Sequence, residues 1–554
     1  MKKIWLDHYP EDVPDTVDIP DIPVFTFLDD SAKMYPETTA TIFMGAKLTY
    51  KELAQQVNKL ACGLSTLGIK KGDRVGLFFP NCPQSVIAFY AALKLGAVVV
   101  QYNPLYVERE LIYQINDSGT ETLLTLDLEL LYPKIRNIKD KVNLNHVIVS
   151  SLKEYLPFPK NVLYPLVKRK DIASVSSDTI SFQTLLQKGD TPPDINVHPQ
   201  DLALLQYTGG TTGVSKGVML THKNLVANAL QCKSWFPEVS FGKESLLAVL
   251  PFFHSFGLTV AMNVPVYVAA TMILVPRFKT KEILSAIQEY KPSLFPGVPT
   301  MYVAINNHPD VKKYDLSSVE YCISGAAPLP LDVLHTFEQL TGGKLREGYG
   351  LTEASPVTHS NPLEGLIKKG SIGIPFPNTD CKIVDVEEGT HELAIDTLGE
   401  LCIKGPQVME GYWHQPEETD NTLRNGWLHT GDIAKVDNDG YFYIVDRKTD
   451  MIIASGFNIY PRDIEEVLYE FPKIKEAAVA GVPDEYRGET VKAFIVLKEG
   501  VKATKEEIID FCRKNLAKYK VPKEVEFKDE LPKTIVGKVL RRELVEEEKE
   551  ENKN

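Results

Sequence analysis

Between Leu48 and about Asn103 the chain alternates two rhythms. YKELAQQVNKLACGLSTLG repeats its apolar residues at the three-to-four spacing of a helix with one buried face, whereas RVGLFF and GAVVVQY are short apolar runs typical of strands. Such alternation predicts strands and helices wound around a largely parallel sheet. The rhythm returns from Asp201 to about Ser324, so two packed α/β sub-domains are expected. The most apolar stretch, Gly257 to Val275, approaches membrane-spanning length but holds Asn263 and Pro265 at its centre, and it reads as a buried helix followed by a strand. After Gly365 the runs CKIVDV, GELCIKG and GYFYIVD, parted by turn residues, predict a smaller β sub-domain.

A boundary is predicted near Asp446 to Lys448, followed by a unit of about a hundred residues, the size of one small domain. Pro461 opens a helix with Ile464, Val467, Leu468 and Phe471 on one face, and Pro472 stops it. AAVAGV and KAFIVL read as strands. Thr504 with Glu507 three residues later forms a capping box, opening a helix with Ile508, Cys512 and Leu516 on one face. The final VEEEKEENKN reads as a solvated tail. The fold class expected is therefore α/β: two α/β sub-domains plus a β sub-domain over residues 1–446, then a small α+β domain over 447–554.

Composition narrows the function. At 554 residues the chain exceeds what one hydrophobic core organises, and 44% hydrophobic with 24% charged residues is ordinary for a globular protein. A net charge of −13 speaks against nucleic acid as a partner, since phosphate backbones are bound by Lys and Arg. The seven cysteines stand singly, with no C-x-x-C pair, so neither zinc site nor disulfide framework is signalled and a reducing, cytoplasmic setting is expected. MKKIWLDHYPEDVP has no apolar core of a signal peptide. One segment departs from the acidic background: Tyr155 to Lys170 interleaves aromatic and aliphatic residues with Lys160, Lys168, Arg169 and Lys170. It reads either as a surface that rests on an anionic bilayer or as a loop packing its own apolar residues.

The strongest local chemistry lies in YTGGTTGVSKG, Tyr207 to Gly217. Gly209, Gly210 and Gly213 let backbone approach a polyphosphate, Thr208, Thr211, Thr212 and Ser215 offer hydroxyl donors, and Lys216 adds positive charge. The string is not a Walker loop, because Lys216 is followed by glycine. A glycine-rich turn taken alone has an equally good structural reading.

Six further strings follow in order: PFFHSFG (Pro251–Gly257), SGAAPLP (Ser324–Pro330), EGYGLTE (Glu347–Glu353), HTGD (His429–Asp432), DRKTDMIIASGFNIYP (Asp446–Pro461) and PKTIVGK (Pro532–Lys538). In this set the chain resembles the adenylate-forming superfamily of acyl-CoA synthetases, luciferases and peptide-synthetase adenylation domains, with the greatest likeness to bacterial long-chain fatty acid–CoA ligases. The resemblance implies that the C-terminal unit is a mobile lid, that Lys448 is its hinge, and that ATP, Mg2+ and coenzyme A are used. It implies a magnesium anchor at Glu353 and Thr208, an α-phosphate donor at Thr352, an adenine site at Gly325, Ala326, Gly348 and Tyr349, and cofactor-binding positions at Glu347 and Gly350. A carboxylate at Asp432 suits the two ribose hydroxyls, with Arg447 as its partner. Lys538 resembles the mobile lysine that bridges the acyl carboxylate and the α-phosphate, a task suited to a point charge on a flexible stem. His254 resembles the gate between ATP site and acyl tunnel; Ser455 and Gly456 fall where the pantetheine arm would pass, though plant and insect relatives carry Lys there. In the resembling acetyl-CoA synthetases a Trp stands where this chain has Gly350 and closes the acyl pocket, so an open tunnel is expected, walled by Gly257 to Val275.

The function expected is AMP-forming ligation of a long-chain fatty acid to CoA through an acyl-adenylate. A medium-chain synthetase, or an acyl-AMP ligase loading a carrier protein, remains as an alternative. An amino-acid adenylating domain would need an acid in PFFHSFG to meet the substrate ammonium, and none is there. A nucleotide-binding regulator would be expected to lack Lys538 or Glu353. No G-x-S-x-G or H-E-x-x-H string suggests a hydrolase. A homodimer and peripheral contact with the inner face of the membrane are left open.

Overall fold

In the computed structural model, residues 3–208, 215–448, 450–454, 457–484, 488–516, 518, 520–534 and 539–551 are described. The short apolar runs become the middle of an eight-stranded sheet, ordered Gly411–Tyr412, Lys216–Thr221, Leu202–Thr208, Val98–Gln101, Arg74–Phe78, Thr122–Leu126, His146–Ser150, Ile180–Ser181. Every pairing from Leu202–Thr208 to Ile180–Ser181 is parallel. Val98–Gln101 and Thr122–Leu126 are buried throughout, as central strands of a parallel sheet covered on both faces are.

The second sheet orders Ser245–Ala248, Thr271–Leu274, Thr39–Phe43 and Ala46–Thr49. Bridges from Leu246 to Leu294 and from Leu294 to Tyr321 lead on to Tyr321–Ser324 and Lys344–Gly350. The two sub-domains are thus not contiguous blocks. The strands of residues 39–49 precede the first alternating segment but belong to the second sheet, while Leu202–Thr208 and Lys216–Thr221 open the second segment yet complete the first sheet. The helix Pro83–Lys94, buried at every position from Pro83 to Leu93, ties the halves together. Tyr90 donates to Asn263 (3.0 Å), and Asn81 donates to the carbonyls of Ala248 (2.9 Å) and Leu250 (2.8 Å).

Gly257–Val275 is helix and then strand, as its pattern indicates, but the helix is interrupted. Ser255–Leu258 and Val264–Tyr267 are α-helical, Thr259–Asn263 is a π-helical turn, and Thr271–Leu274 is the strand. The β sub-domain is antiparallel: Asp380–Val384, Gly399–Lys404, Trp427–Val436 and Leu423–Arg424, with Phe442–Arg447 also paired to Trp427–Val436.

One apolar core runs from Trp5 to Phe442, and separate clusters lie between Ile452 and Leu544. The C-terminal sheet orders Phe457–Ile459, Ile452–Ala454, Gly488–Leu497 and Ile474–Asp484, with Glu524–Phe527 parallel to Gly488–Leu497. Ile464, Leu468, Ile508 and Cys512 pack the two predicted helices onto it, and Thr504 and Glu507 form the expected capping box. The acidic end departs from the expectation of a solvated tail. Arg541–Glu551 is a helix that buries Leu544, sets Glu547 3.0 Å from Lys528, and pairs Glu548 with the nearly buried Lys492. The acids are counter-charges to lysines on or beside the strands rather than free charge.

Arg541 fixes the start of this helix, reaching Glu465 (2.8 Å), Asp450 (2.8 Å) and Asp446 (3.7 Å). Burial pushes the Asp446 carboxyl up to about 6, with Arg541 pulling against it. Arg541→Met leaves three carboxylates without their shared cation and should cost about 2 kcal/mol in chemical denaturation at pH about 8. Because Asp446 is a raised acid, its charge is absent below its folded pKa. The penalty should therefore shrink when the same measurement is made at pH about 5.

Candidate active site

Thr208 ends one strand and Lys216 begins the next, and the two face each other in an antiparallel hairpin. Ser215 Oγ donates to the Thr208 carbonyl (2.7 Å), tying the two strand ends together. Gly209, Gly210, Thr211, Thr212 and Gly213 lie outside the described residues. Lys216 is nearly buried; it pairs with Glu418, and its ammonium sits 5.1 Å from the centre of the Tyr412 ring. Tyr412 reaches this place because Gly411–Tyr412 adds to the edge of the same hairpin, opposite Met219 and Val218.

The other side of Tyr412 meets Glu353: its hydroxyl donates to Glu353 Oε1 (2.8 Å), and the Met409 N–H donates to the Glu353 carbonyl (2.8 Å). Glu353 and Thr352 lie in the 3-10 turn Thr352–Ala354 just beyond the strand Lys344–Gly350. Thr352 Oγ1 is 3.1 Å from Ser255 Oγ, which brings PFFHSFG alongside. His254 Nδ1 accepts from the Phe256 N–H (3.3 Å) as cap of the following helix, and burial among protein atoms pushes its pKa down to about 4.

Tyr321–Ser324 and Lys344–Gly350 are neighbouring parallel strands, with Ser324 opposite Glu347. Gly325 and Ala326 therefore leave one strand beside Gly348 and Tyr349 on the other. Burial pushes Glu347 up to about 7, opposed by the Arg462 charge. Tyr349 donates its hydroxyl to Asp432 Oδ2, whose other oxygen is 3.5 Å from Arg447 Nε. Asp432 and Arg447 are directly opposed in the antiparallel pair of Trp427–Val436 with Phe442–Arg447. The Lys448 N–H donates to the Gly431 carbonyl (2.8 Å). Ser455, Gly456 and Lys538 lie outside the described residues.

Gly350 calls for a correction. The expectation was that its missing side chain leaves a tunnel open. A Cβ at Gly350 would instead stand 2.1 Å from the Pro356 carbonyl oxygen and 3.0 Å from Val357 Cα, at a register shift in the pairing with Val357–Ser360. The glycine is demanded by two backbones in contact, so a Trp there would break the turn carrying Thr352 and Glu353. An apolar cleft lies elsewhere, lined by Phe236, Val260, Val264, Leu294, Tyr321 and Ile323.

Three residues escaped the sequence reading. Tyr412 and Glu418 anchor Lys216, and Glu400 is buried beneath the HTGD turn. Glu400 Oε1 accepts from the Gly431 N–H (3.0 Å), while Oε2 lies 3.5 Å from His429 Nδ1 and 3.4 Å from Lys448 Nζ. Burial pushes this carboxyl up, but His429, Lys448 and the Gly431 N–H outweigh it and hold it below the usual range. An acid inside the strand-like string GELCIKG was the only sequence signal for Glu400.

The chain matches the AMP-binding enzyme family over residues 28–413 and the AMP-binding enzyme C-terminal domain over 463–538. It belongs to the AMP-binding enzyme family. It is 50% identical over 556 residues to a long-chain-fatty-acid–CoA ligase of Bacillus subtilis, with 99% of each chain covered. It is 40% identical to a long-chain-fatty-acid–CoA ligase of Escherichia coli O6:H1, covering 99% of this chain and 98% of that one. Its structure resembles ATP-bound MatB from Rhodopseudomonas palustris with a TM-score of 0.83 at 30% identity, covering 96% of this chain and 99% of that one.

Two outcomes follow from the geometry. Gly350→Ala should lower stability by about 2 kcal/mol, because the methyl group has backbone rather than a movable side chain in its way; thermal melting beside the intact protein checks this. His254 should stay neutral on acidification until pH about 4, well below an exposed imidazole. An NMR titration of labelled histidines, with His254→Ala for assignment, should find its resonance flat between pH about 7.5 and about 5.

Proposed function

We propose that this chain is an AMP-forming long-chain fatty acid–CoA ligase: fatty acid, ATP and CoA give acyl-CoA, AMP and pyrophosphate through an enzyme-bound acyl-adenylate. What supports the reading is full-length similarity to ligases of that name, joined to two local clusters, Tyr349 with Asp432 and Arg447, and Glu353 with Tyr412.

In the first half-reaction a fatty carboxylate oxygen attacks the α-phosphorus of ATP and pyrophosphate leaves. In the second the CoA thiolate attacks the acyl carbonyl and AMP leaves with the bonding pair. Thr208, Gly209, Gly210, Thr211, Thr212 and Gly213, followed by Lys216, are assigned to the outer phosphates. Thr352 donates to the α-phosphate. Gly325, Ala326, Glu347, Gly348, Tyr349 and Gly350 flank the purine, and Asp432 with Arg447 takes the ribose. His254 is assigned the gate between this site and the apolar cleft, to which the acyl chain is assigned; Val260 and Val264 of that cleft come from the segment after His254.

No cluster of three or more metal-ligating side chains occurs among the described residues, which suits Mg2+, an ion usually held by one or two carboxylates and the substrate's phosphates. Glu353 and the Thr208 hydroxyl are the proposed protein ligands, and the ion would neutralise charge on the phosphates. Glu353 is positioned for this by Tyr412 and by its 3-10 turn.

The domain division is placed at 446/447, with Lys448 as the hinge about which residues 447–554 turn between half-reactions, bringing Ser455 and Gly456 to the pantetheine arm. Lys538 on that unit is assigned to the first half-reaction alone. Lys538→Ala should abolish pyrophosphate release with ATP and palmitate, yet still convert supplied palmitoyl-AMP and CoA to thioester; equal loss of both steps would remove the assignment. Release of AMP across a ladder of carboxylates tests the substrate class itself, and a maximum at medium chains would replace the long-chain reading.

A further inference from the structure

The segment Tyr155–Lys170 plays no part in the site just described, yet it is the least protected apolar surface near the larger sheet. Its helix, Lys160–Val167, buries none of its residues. Val162, Leu163, Leu166 and Val167 fall within an arc of about 140° at 100° per residue, so they share one face. Phe158 is 82% exposed, and Leu166 and Val167 are each 75% exposed. Solvated side chains of this kind are normal singly but not as a stripe.

Neighbouring loops extend the stripe. Val98–Gln101, Thr122–Leu126 and His146–Ser150 are parallel, so the loops after them emerge at one edge of the sheet. Those loops carry Leu105 (55% exposed), Leu130 (55%) and the helix itself. They touch: the Glu129 N–H donates to the Asp171 carbonyl (2.9 Å), and Lys134 Nζ donates to the Pro104 carbonyl (3.0 Å). The strand before the phosphate hairpin ends at this same edge, four strand spacings or about 19 Å from His146–Ser150.

We propose that this edge is a docking surface for an anionic lipid bilayer, with the apolar stripe entering the headgroup layer and Lys160, Arg169 and Lys170 meeting lipid phosphates. The charge selects the occupant. Residues 155–170 hold four basic and no acidic side chains in a chain of net charge −13. Lys168 is paired with Asp171 at 3.1 Å, Glu129 stands at the rim, and Lys160 donates to the Met44 carbonyl (2.8 Å) but has no carboxylate partner among the described residues, so Lys160, Arg169 and Lys170 are the cations assigned to lipid. A second copy docking by two-fold symmetry would bring this basic cluster against itself, which like charge opposes. An amphipathic surface with basic residues beside its apolar face is the form that interfacial binding takes. The surface rests on the ligase reading only for its use, as a place where a water-insoluble substrate is taken up.

Two full-length variants separate the contributions: F158S/V162S/L166S/V167S removes the stripe, and K160Q/R169Q/K170Q removes the charge. All altered side chains are outside the core, so both should keep the circular dichroism spectrum and AMP release with soluble octanoate. In sedimentation with vesicles, the intact protein should bind phosphatidylglycerol-containing membranes more strongly than phosphatidylcholine alone. Each variant should lose binding by about tenfold or more. The proposal is overturned if the intact protein stays in the supernatant, if either variant sediments as well as the intact chain, or if the stripe variant converts a dimer in solution to monomer, which would assign the face to a second copy. The ligase reading fails separately, if no fatty acid drives AMP release.

Discussion

Asp432 and Arg447 face each other across two antiparallel strands, and much of the site is arranged around that contact. The carboxylate is shared: one oxygen takes the Tyr349 hydroxyl and the other lies toward the guanidinium. Strand pairing fixes the spacing, so a group leaving the smaller sheet is held against a residue leaving the strand Lys344–Gly350. The next residue, Lys448, is bound through its N–H to Gly431 and through its ammonium to Glu400. The proposed hinge thus begins against the HTGD turn. Movement there would be felt by the HTGD turn at once.

Tyr412 does the same on the phosphate side. Its ring carries a lysine over one face and its hydroxyl meets a carboxylate, so one phenol touches both Lys216 and Glu353. Glu418 supplies the counter-charge instead, so Lys216 is held nearly buried with the hairpin base. The Glu353 carboxylate is directed by the Tyr412 hydroxyl, and its main-chain carbonyl by the Met409 N–H.

Charged groups gather where residues 447–554 begin. Asp446 accepts the Arg462 N–H (2.8 Å) and lies near Arg541, which also spans Asp450 and Glu465. The apolar clusters of that unit, Ile452–Val525 and Ala478–Leu544, are separate from the core that runs from Trp5 to Phe442.

Local pattern determined a good deal about this protein. The capping box at Thr504, the helix opening at Pro461, the helix-then-strand reading of Gly257–Val275 and the strands of the first segment all appear, because each depends on residues within a few positions of one another. The ordered motifs also placed Thr208, Lys216, Thr352, Glu353, Asp432 and Arg447 in one catalogue before any geometry was available. Tertiary structure alone decided which strands share a sheet: nothing within residues 39–49 signals that they pair beside Thr271–Leu274, since parallel partners are chosen by long-range packing. It also decided the fate of single side chains. Gly350 could be read as open space until the Pro356 carbonyl was seen against it, the acidic tail as solvated until Lys492 and Lys528 were found beneath it, and Glu400 as one more strand residue until the fold buried it under Gly431. In each instance the meaning of the residue is set by a partner far away along the chain, which periodicity and spacing do not encode.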